Sequence, residues 1–249
     1  MSKHIKAISH KNQVAVVIPM YKSEMTPFEQ KSFEQCIKIL GHYPIVIIKP
    51  ESLDLEHLKQ SHAAIQFQNF EDKYFKGIEG YNALLTTVHF YEAFLAYEYM
   101  LIYQLDAFIF SDQLTEWCNA GFDYVGSPHI EPERWKIGDK LPGNYHQFRR
   151  VFMNGGFSLR RVKAMIRFLK ILKFFKKEWI SNEDGLFSLH FIQLRPYRPL
   201  LRLPNWQQAL QFGFEQHPQL CYQLNNQQLP FGCHAWEKYD HEFWEKYMK

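Results

Sequence analysis

The chain has 249 residues, of which 46% are hydrophobic and 17% aromatic, and this is enough apolar material for one sizeable α/β domain. Its formal net charge is +3 and its basic residues are mostly interleaved with acidic ones, so we expect no nucleic-acid partner. The cysteines form no CxxC pair, which excludes a zinc ribbon and a dithiol motif and predicts reduced, buried thiols.

The amino-terminal residues 1–13 form a polar, basic extension without the apolar centre of a signal peptide. No apolar run in the sequence is long enough to span a bilayer. We therefore expect a soluble protein, which could still rest on a membrane surface.

The first regular elements have clear local signals. Residues 14–18 are an apolar run that predicts a strand, and Pro19 ends it because proline cannot continue the hydrogen-bond ladder. Thr26 and Glu29 have the spacing of a capping box. A helix is therefore predicted to begin at this point and to end at Gly41.

The next segments alternate between strand and helix patterns. Strands are predicted at 44–49 and 63–67, and helices at 53–60 and 81–97. This alternation predicts a single α/β domain over residues 1–249, in which helices flank a mostly parallel central sheet.

Residues 100–110 form a continuous apolar run that contains one charge, Asp106. Such a run predicts a strand that is buried on both faces of the sheet. Because burying an unpaired carboxylate is costly, we expect Asp106 either to face a ligand cleft at the carboxyl end of the strand or to have a dedicated partner. A cap for the next turn is the plainer alternative.

The second half of the chain differs in composition. Residues 127–150 are rich in proline, glycine and scattered charges, and they predict a long mobile loop. A basic helix is predicted at 161–177, with Phe168 and Phe175 on its buried face. Its lysines and arginines are explained most simply as a solvated face, and a docking patch for a membrane or an acidic partner is the alternative. Residues 236–249 predict an amphipathic carboxyl-terminal helix.

Several residues are candidates for binding a nucleotide or a metal. Pro19, Tyr21 and Lys22 follow the first strand, at the sheet edge where ligands gather, and the ring of Tyr21 could stack on a base or simply pack on a helix. Asp106 could hold a divalent cation, although a single carboxylate is a weak site for Mg²⁺ or Mn²⁺. His234 follows a glycine turn and could bind metal, although a lone histidine is more often structural.

Other residues could act on an acceptor molecule. Gly155 and Gly156 would let a sugar approach the backbone, and Asn154 would form a hydrogen bond with a sugar hydroxyl. The alternative is that these glycines only form a structural bend. The adjacent acids Glu183 and Asp184 could supply a general base or cap a helix. Asp184 fits the cap better, so Glu183 is expected to be the freer acid.

Taken together, these segments resemble GT-A-type glycosyltransferases, which transfer a sugar from a nucleotide donor. The matching segments are Val-Val-Ile-Pro-Met-Tyr at 16–21, Leu-Asp-Ala-Phe at 105–108, Asn-Gly-Gly-Phe-Ser at 154–158, Glu-Asp at 183–184 and Gly-Cys-His at 232–234. Their order also resembles a bacterial family of uncharacterised GT-A-like domains that occur among genes for surface polysaccharides.

The resemblance implies a GT-A-like (Rossmann-like) fold and gives the candidate residues roles. These roles are donor binding for Pro19, Tyr21, Lys22, Asp106 and Ala107, acceptor binding for Asn154, Gly155 and Gly156, base catalysis for Glu183 or Asp184, and metal ligation for Asp106 and His234.

Two positions depart from the family pattern. Lys22 follows Tyr21 where asparagine is usual, and the departure that puts a divalent metal in question is at Phe108. The second acid of the metal-binding D-x-D motif is Phe108 in this chain. Either Asp106 and His234 suffice for Mn²⁺ or Mg²⁺, or cations such as Lys22, Lys73 or Arg160 neutralise the leaving diphosphate.

The activity that the resemblance implies is inverting transfer from a nucleotide-sugar donor to a saccharide or lipid-linked saccharide acceptor, in lipopolysaccharide or capsule synthesis. It also implies a cytoplasmic location, and peripheral association with the inner membrane stays open. The alternative is a non-catalytic nucleotide- or sugar-binding module with a degenerate GT-A fold, which Phe108 supports. A sugar nucleotidyltransferase is disfavoured because no glycine-rich phosphate loop follows the first strand.

Overall fold

The computed structural model describes residues 13–130, 152–175, 182–193 and 200–248. The strands are β1 (Val14–Pro19), β2 (Ile45–Pro50), β3 (Gln66–Phe70), β4 (Tyr99–Tyr103), β5 (Phe108–Ile109), β6 (Tyr124–Pro128), β7 (Met153–Arg161), β8 (Gly213–Phe214) and β9 (Gly232–Cys233). The helices are α1 (Pro27–Leu40), α2 (Glu56–Ser61), α3 (Gly77–Leu85), α4 (Val88–Glu92), α5 (Leu114–Ala120), α6 (Val162–Phe174), α7 (Glu183–Gln193), α8 (Trp206–Phe212), α9 (Pro218–Leu224) and α10 (His241–Glu245), and a 3₁₀ helix spans Asp72–Phe75.

The main sheet has the strand order β3-β2-β1-β4-β7-β6. Strands β3, β2, β1 and β4 run parallel, whereas β7 is antiparallel to both of its neighbours, β4 and β6. A smaller sheet has the order β5-β9-β8. The predicted α/β fold with a mostly parallel central sheet is therefore confirmed.

The main sheet is buried on both faces, as the apolar strands predict. Successive residues of a strand point to opposite faces, and β1 shows this directly. Val14 and Val16 pack in one apolar cluster with α1 and α5, and Ala15 and Val17 pack in a second cluster with α3, α4 and α6. The helices thus pack on the two faces of the sheet, and the edge at which the strands end is left for a site.

The amino end of α1 confirms the predicted capping box. The hydroxyl of Thr26 accepts a hydrogen bond from the backbone N–H of Glu29, and the Glu29 carboxylate accepts one from the backbone N–H of Thr26 at 2.7 Å. The helix ends at Gly41, as predicted. The four cysteines are also free and buried, as expected.

The apolar run at 100–110 is not one strand, and that prediction is wrong. Strand β4 ends at Tyr103, the chain turns, and Phe108 begins β5 in the smaller sheet. The turn is held by a hydrogen bond from the Ala107 N–H to the Gln104 carbonyl, and the Tyr103 hydroxyl donates to the Ala107 carbonyl. A turn within the run places Asp106 beyond the strand end rather than inside the sheet.

Other predicted boundaries also shift. The helix predicted at 81–97 is divided into α3 and α4, and β3 lies about three residues later than predicted. The helix predicted at 236–249 is only α10, because Asp240 adopts a left-handed backbone conformation (φ 51°) that cannot continue a helix.

Two predicted segments fall largely outside the described residues. Residues 1–12 of the polar extension and residues 131–150 of the predicted mobile loop are among them, while Ser127 and Pro128 belong to β6. Among the helices that the structure describes, none has both the length and the apolar character needed to cross a membrane.

Candidate active site

A cavity of about 560 Å³ opens at one edge of the main sheet. The carboxyl ends of β1 and β4 meet at this edge, and because β7 is antiparallel to β4, its amino end lies there too. The first residues of α7 complete the wall. This is the edge of an α/β sheet at which ligands bind.

The cavity brings together most of the residues predicted from the sequence. Its lining includes Pro19, Tyr21, Lys22, Asp106, Asn154, Gly155, Gly156, Glu183 and Asp184. Ala107 is the exception among the predicted donor-binding residues, because it is fully buried in the turn after β4 and does not line the cavity. His234 is also buried, and its ring lies against Asp106.

The position of the D-x-D-like motif must be corrected. Phe108 does not face the cavity, because its ring packs near Trp236 in the apolar cluster around the smaller sheet. Gln104, two residues before Asp106, lines the cavity instead. The residues of this segment that face the cavity are therefore Gln104, Leu105 and Asp106, and Phe108 does not face it.

Gln104 and Asp106 meet at one ring nitrogen of His234. Nε2 lies 3.2 Å from Gln104 Oε1, with which it forms a hydrogen bond, and 3.1 Å from Asp106 Oδ1. Because the N–H is directed at Gln104, the buried Oδ1 of Asp106 has no hydrogen-bond partner among the described residues. The other ring nitrogen, Nδ1, lies 3.3 Å from Glu215 Oε1.

The electrostatics of this cluster follow from its charges. Burial opposes the charged form of His234, but Asp106 and Glu215 outweigh it and raise the pKa of the imidazole to about 10. Burial alone would raise the pKa of Asp106, yet the neighbouring imidazolium holds that pKa below its usual value. The pair is therefore ionised near neutral pH.

These donors fit a divalent cation. An amide oxygen, a carboxylate oxygen and an imidazole nitrogen converge, and their separations of 3.1 and 3.2 Å are near the edge of about 3 Å expected for an octahedron of Mg²⁺ ligands. Because Nε2 carries a proton in the metal-free protein, His234 would ligate a cation only with release of that proton. Glu215 is placed as the carboxylate that commonly orients a metal-binding histidine. Within the described residues, no group of three His, Cys, Asp or Glu side chains could hold a metal ion. A cation at this place would therefore need the amide oxygen of Gln104 among its ligands.

The two adjacent acids of α7 have different surroundings, contrary to the expectation that Glu183 is the freer one. Glu183 is buried, and its Oε1 accepts a hydrogen bond from Arg160 Nη2 at 2.9 Å. Arg160, which is fully buried, also donates to the Gly155 carbonyl, the Tyr91 hydroxyl and the Ser158 hydroxyl. Arg160 is thus occupied and cannot neutralise a diphosphate.

Asp184 has no cationic partner of this kind among the described side chains. Its Oδ1 accepts a hydrogen bond from the Gly185 N–H at 2.6 Å, and its side chain lines the cavity. Burial, together with the neighbouring Glu183 charge, raises the pKa of Asp184 to about 7. A carboxylate with such a pKa can accept a proton near neutral pH.

The paired glycines are needed because side chains occupy the space beside them. A Cβ at Gly155 would lie 2.1 Å from Glu183 Oε1, and a Cβ at Gly156 would lie 2.2 Å from His234 Nε2 and 2.4 Å from Gln104 Oε1. Asn154 stabilises the bend, because its Oδ1 accepts a hydrogen bond from the Gly156 N–H at 2.6 Å.

Gly156→Ala is therefore expected to lower the free energy of unfolding by about 1–3 kcal/mol, as overpacking does. Urea denaturation measures this change. In a chain that already carries Gln104→Ala and His234→Ala, the same substitution should have a smaller effect, because the atoms that it meets are gone. An equal loss in both backgrounds would show that the close approach is not the cause.

Sequence reasoning missed Gln104 and Glu215 and misjudged Arg160. Gln104 and Glu215 lie 130 and 19 residues from the histidine that they contact. Arg160 is followed directly by Arg161 at the end of β7, so its burial and its need for a partner had no clear local signal.

The fold resembles those of several solved glycosyltransferases. The galactosyltransferase LgtC, in complex with donor and acceptor sugar analogues, is 12% identical with a TM-score of 0.55, and the match covers 94% of this chain and 95% of that one. The bifunctional glycosyltransferase WbbM is 13% identical with a TM-score of 0.52, over 90% of this chain and 46% of that one. The glycosyltransferase GlyE of Streptococcus pneumoniae TIGR4, in its apo form, is 10% identical with a TM-score of 0.50, and the match covers 95% of this chain and 60% of that one.

At these identities the likeness establishes the fold, and the GT-A-like architecture implied by the motifs is confirmed. No curated protein matches the sequence. A family model described as "Protein of unknown function (DUF5672)" matches residues 64–234, a span that includes β4, β7, α7 and His234. Because this span is more than half of the chain, the protein belongs to that family.

Proposed function

We propose that this chain transfers a glycosyl group from a nucleotide-sugar donor to a saccharide or lipid-linked saccharide acceptor, with inversion at the anomeric carbon. The observation that carries the proposal is that a single cavity is lined by the loop after β1, by Asp106, whose carboxylate lies against the buried ring of His234, and by Asp184. The fold shared with solved glycosyltransferases supports it. The resemblance of the motifs to domains encoded among surface-polysaccharide genes supports a cytoplasmic role in lipopolysaccharide or capsule synthesis.

The residues after β1 are suited to the donor nucleotide. Tyr21 lies at the cavity wall with 63% of its surface exposed, so its ring is available for stacking on a base. Lys22 lies 2.7 Å from Glu29 Oε2, and this hydrogen-bonded ion pair raises the pKa of the lysine. Lys22 therefore keeps its positive charge near the donor.

Asp184 is the residue that we propose as the general base. It accepts the proton of the acceptor hydroxyl as the hydroxyl oxygen attacks the anomeric carbon. A new carbon–oxygen bond forms, the bond from the anomeric carbon to the diphosphate breaks, and the nucleoside diphosphate leaves with the electron pair. Asn154, Gly155 and Gly156 line the same cavity and are the acceptor-binding residues that we propose.

The charges of the cavity support a divalent cation, Mn²⁺ or Mg²⁺. Five acids line the cavity, and Glu29, Asp106 and Glu183 are paired with Lys22, His234 and Arg160. Asp184 and Glu237 have no such ion pair among the described residues, and no further cation of the lining is left for a diphosphate. An anionic diphosphate in such a cavity requires added positive charge. Gln104, Asp106 and His234 would hold the cation, which supplies that charge.

The non-catalytic module remains the alternative function, but its main support is weakened. That support was the replacement of an acid by Phe108, whereas the residue facing the cavity is Gln104. Nucleotide release distinguishes the two functions, because a binding module binds the nucleotide-sugar donor without cleaving it.

The test is a panel of UDP-, GDP- and CMP-sugars incubated with the protein, with and without Mn²⁺, while nucleotide release is measured. We expect nucleotide release from at least one of these donors. This release should require the cation and should be lost in the Asp106→Asn variant. Direct titration of Mn²⁺ by electron paramagnetic resonance should show weaker binding in Asp106→Asn and about 10- to 100-fold weaker binding in Glu215→Gln. Donor binding without release in every case would favour the module.

A further inference from the structure

The outer face of α6 combines cationic and apolar side chains. Opposite the buried face of this helix, a shallow groove is lined by Lys163, Ile166, Arg167, Lys170, Ile171, Phe174 and Phe175. Phe174 is 80% exposed, and Phe175, which was predicted on the buried face, is 58% exposed. The two rings contact each other edge to face, with centroids 5.2 Å apart.

Adjacent exposed aromatic rings are unfavourable in water, because apolar surface is stabilised by removal from it. In the described part of the chain, Phe174 and Phe175 are the only exposed large hydrophobic residues that are neighbours in sequence. An environment that covers both rings at once, while tolerating charges around them, would remove this cost.

The charge of the face is positive. Lys163, Arg167 and Lys170 line the groove, and Lys173 is a further exposed cation of the same helix. The acids that meet these side chains in the described structure are Glu92, 3.2 Å from Lys170, and Asp123, 4.0 Å from Arg167. Asp123 is shared with Arg161, so cations exceed acids on this face.

We propose that this face of α6 docks on the surface of an anionic lipid bilayer. The two phenylalanine rings enter the interface between headgroups and acyl chains, and the lysines and Arg167 meet the anionic headgroups. A second copy of the chain is a poorer occupant, because a two-fold contact would place the same positive patches opposite each other. The open, shallow groove also suits a planar surface.

Docking at this face would bring the cavity near the membrane. Six residues separate Phe175 from Asn182, which lines the cavity, and a chain of that length spans at most about 25 Å. A lipid-linked acceptor in the same membrane would therefore lie within reach of the site. This last consequence rests on the proposed glycosyl transfer, whereas the docking itself does not.

The experiment is flotation of the full chain with vesicles of phosphatidylcholine, alone or mixed with phosphatidylglycerol. We expect binding only to the anionic vesicles, weakened by salt. The variants Phe174→Ser/Phe175→Ser and Lys163→Gln/Lys170→Gln should each reduce the partition coefficient on the order of tenfold. The matched control is Lys38→Gln/Lys59→Gln, which removes two lysines from α1 and α2 and should bind as the native chain does.

Absence of binding to anionic vesicles would overturn the proposal, as would equal loss in the control pair. Equal binding to both kinds of vesicle would also overturn it. If the native chain instead dimerises and Phe174→Ser/Phe175→Ser abolishes the dimer without affecting vesicle binding, the face is a self-association surface. Vesicle binding requires no sugar transfer, so its outcome is independent of the proposed activity.

Discussion

Asp184→Asn is expected to reduce the rate of glycosyl transfer by about 100- to 10,000-fold, the usual contribution of a general base. Asparagine keeps the shape of the side chain and can still accept the Gly185 hydrogen bond, but it cannot take a proton. In the native chain the rate should rise with pH through about 7, the pKa to which burial and Glu183 raise Asp184. The rate measured from low to high pH should lose this rising limb in the variant.

The matched control is Glu183→Gln, one residue earlier. Because Glu183 is occupied by Arg160, this change should affect the transfer rate less than Asp184→Asn does. If Glu183→Gln abolishes transfer and Asp184→Asn retains most of it, the base is Glu183 and our assignment is wrong.

Stability provides a second measurement on the same variant. The pKa of Asp184 is raised in the folded state, so its protonated form favours folding, and that stabilisation is lost as the pH rises through about 7. At about pH 8, Asp184→Asn should therefore be more stable than the native chain, by on the order of 4 kcal/mol. The difference should shrink as the pH falls towards the pKa of an ordinary aspartate.

Arg160→Met is expected to have the largest effect on stability, about 3–5 kcal/mol, because it leaves Glu183 buried without its partner. For a chain of this size, such a loss corresponds to roughly 10 °C in Tm. The substitution also removes the hydrogen bonds to Gly155, Tyr91 and Ser158. Urea denaturation of the folded variant, or of the milder Arg160→Lys, measures the loss.

A double-mutant cycle isolates the ion pair. Adding Glu183→Gln to Arg160→Met removes the uncompensated charge, so the double variant should be more stable than Arg160→Met alone. Additive losses would mean that Arg160 stabilises the fold through its other contacts and that its pairing with Glu183 contributes little.

Local signals predicted the beginning of the fold well. The strand at β1 and the capping box of α1 are defined by neighbouring residues, and both occur as predicted. The run at 100–110 could not be resolved in the same way. Both of its halves are buried, one in the main sheet and one against the smaller sheet, so hydrophobicity alone gives no sign of the turn between them.

The position of the site at one edge of the sheet could be predicted from the order and direction of the strands. Asp106 and the residues after β1 were expected at the edge where the strands end, because ligands gather there. Asn154, Gly155 and Gly156 were expected to bind the acceptor or form a bend, and their place at the start of β7 was not predicted. The partners of each side chain were not predictable, since the Arg160–Glu183 and His234–Gln104 contacts depend on how distant elements pack. The assignment of Glu183 as the freer acid was wrong for this reason.

A crystal structure of the protein with a nucleoside diphosphate and Mn²⁺ tests the central claim most directly. We expect the diphosphate in the cavity beside Gln104, Asp106 and His234, with the cation between them and the base near Tyr21. A cavity that stays free of nucleotide at saturating concentration, or a nucleotide bound elsewhere on the chain, would contradict the proposed function.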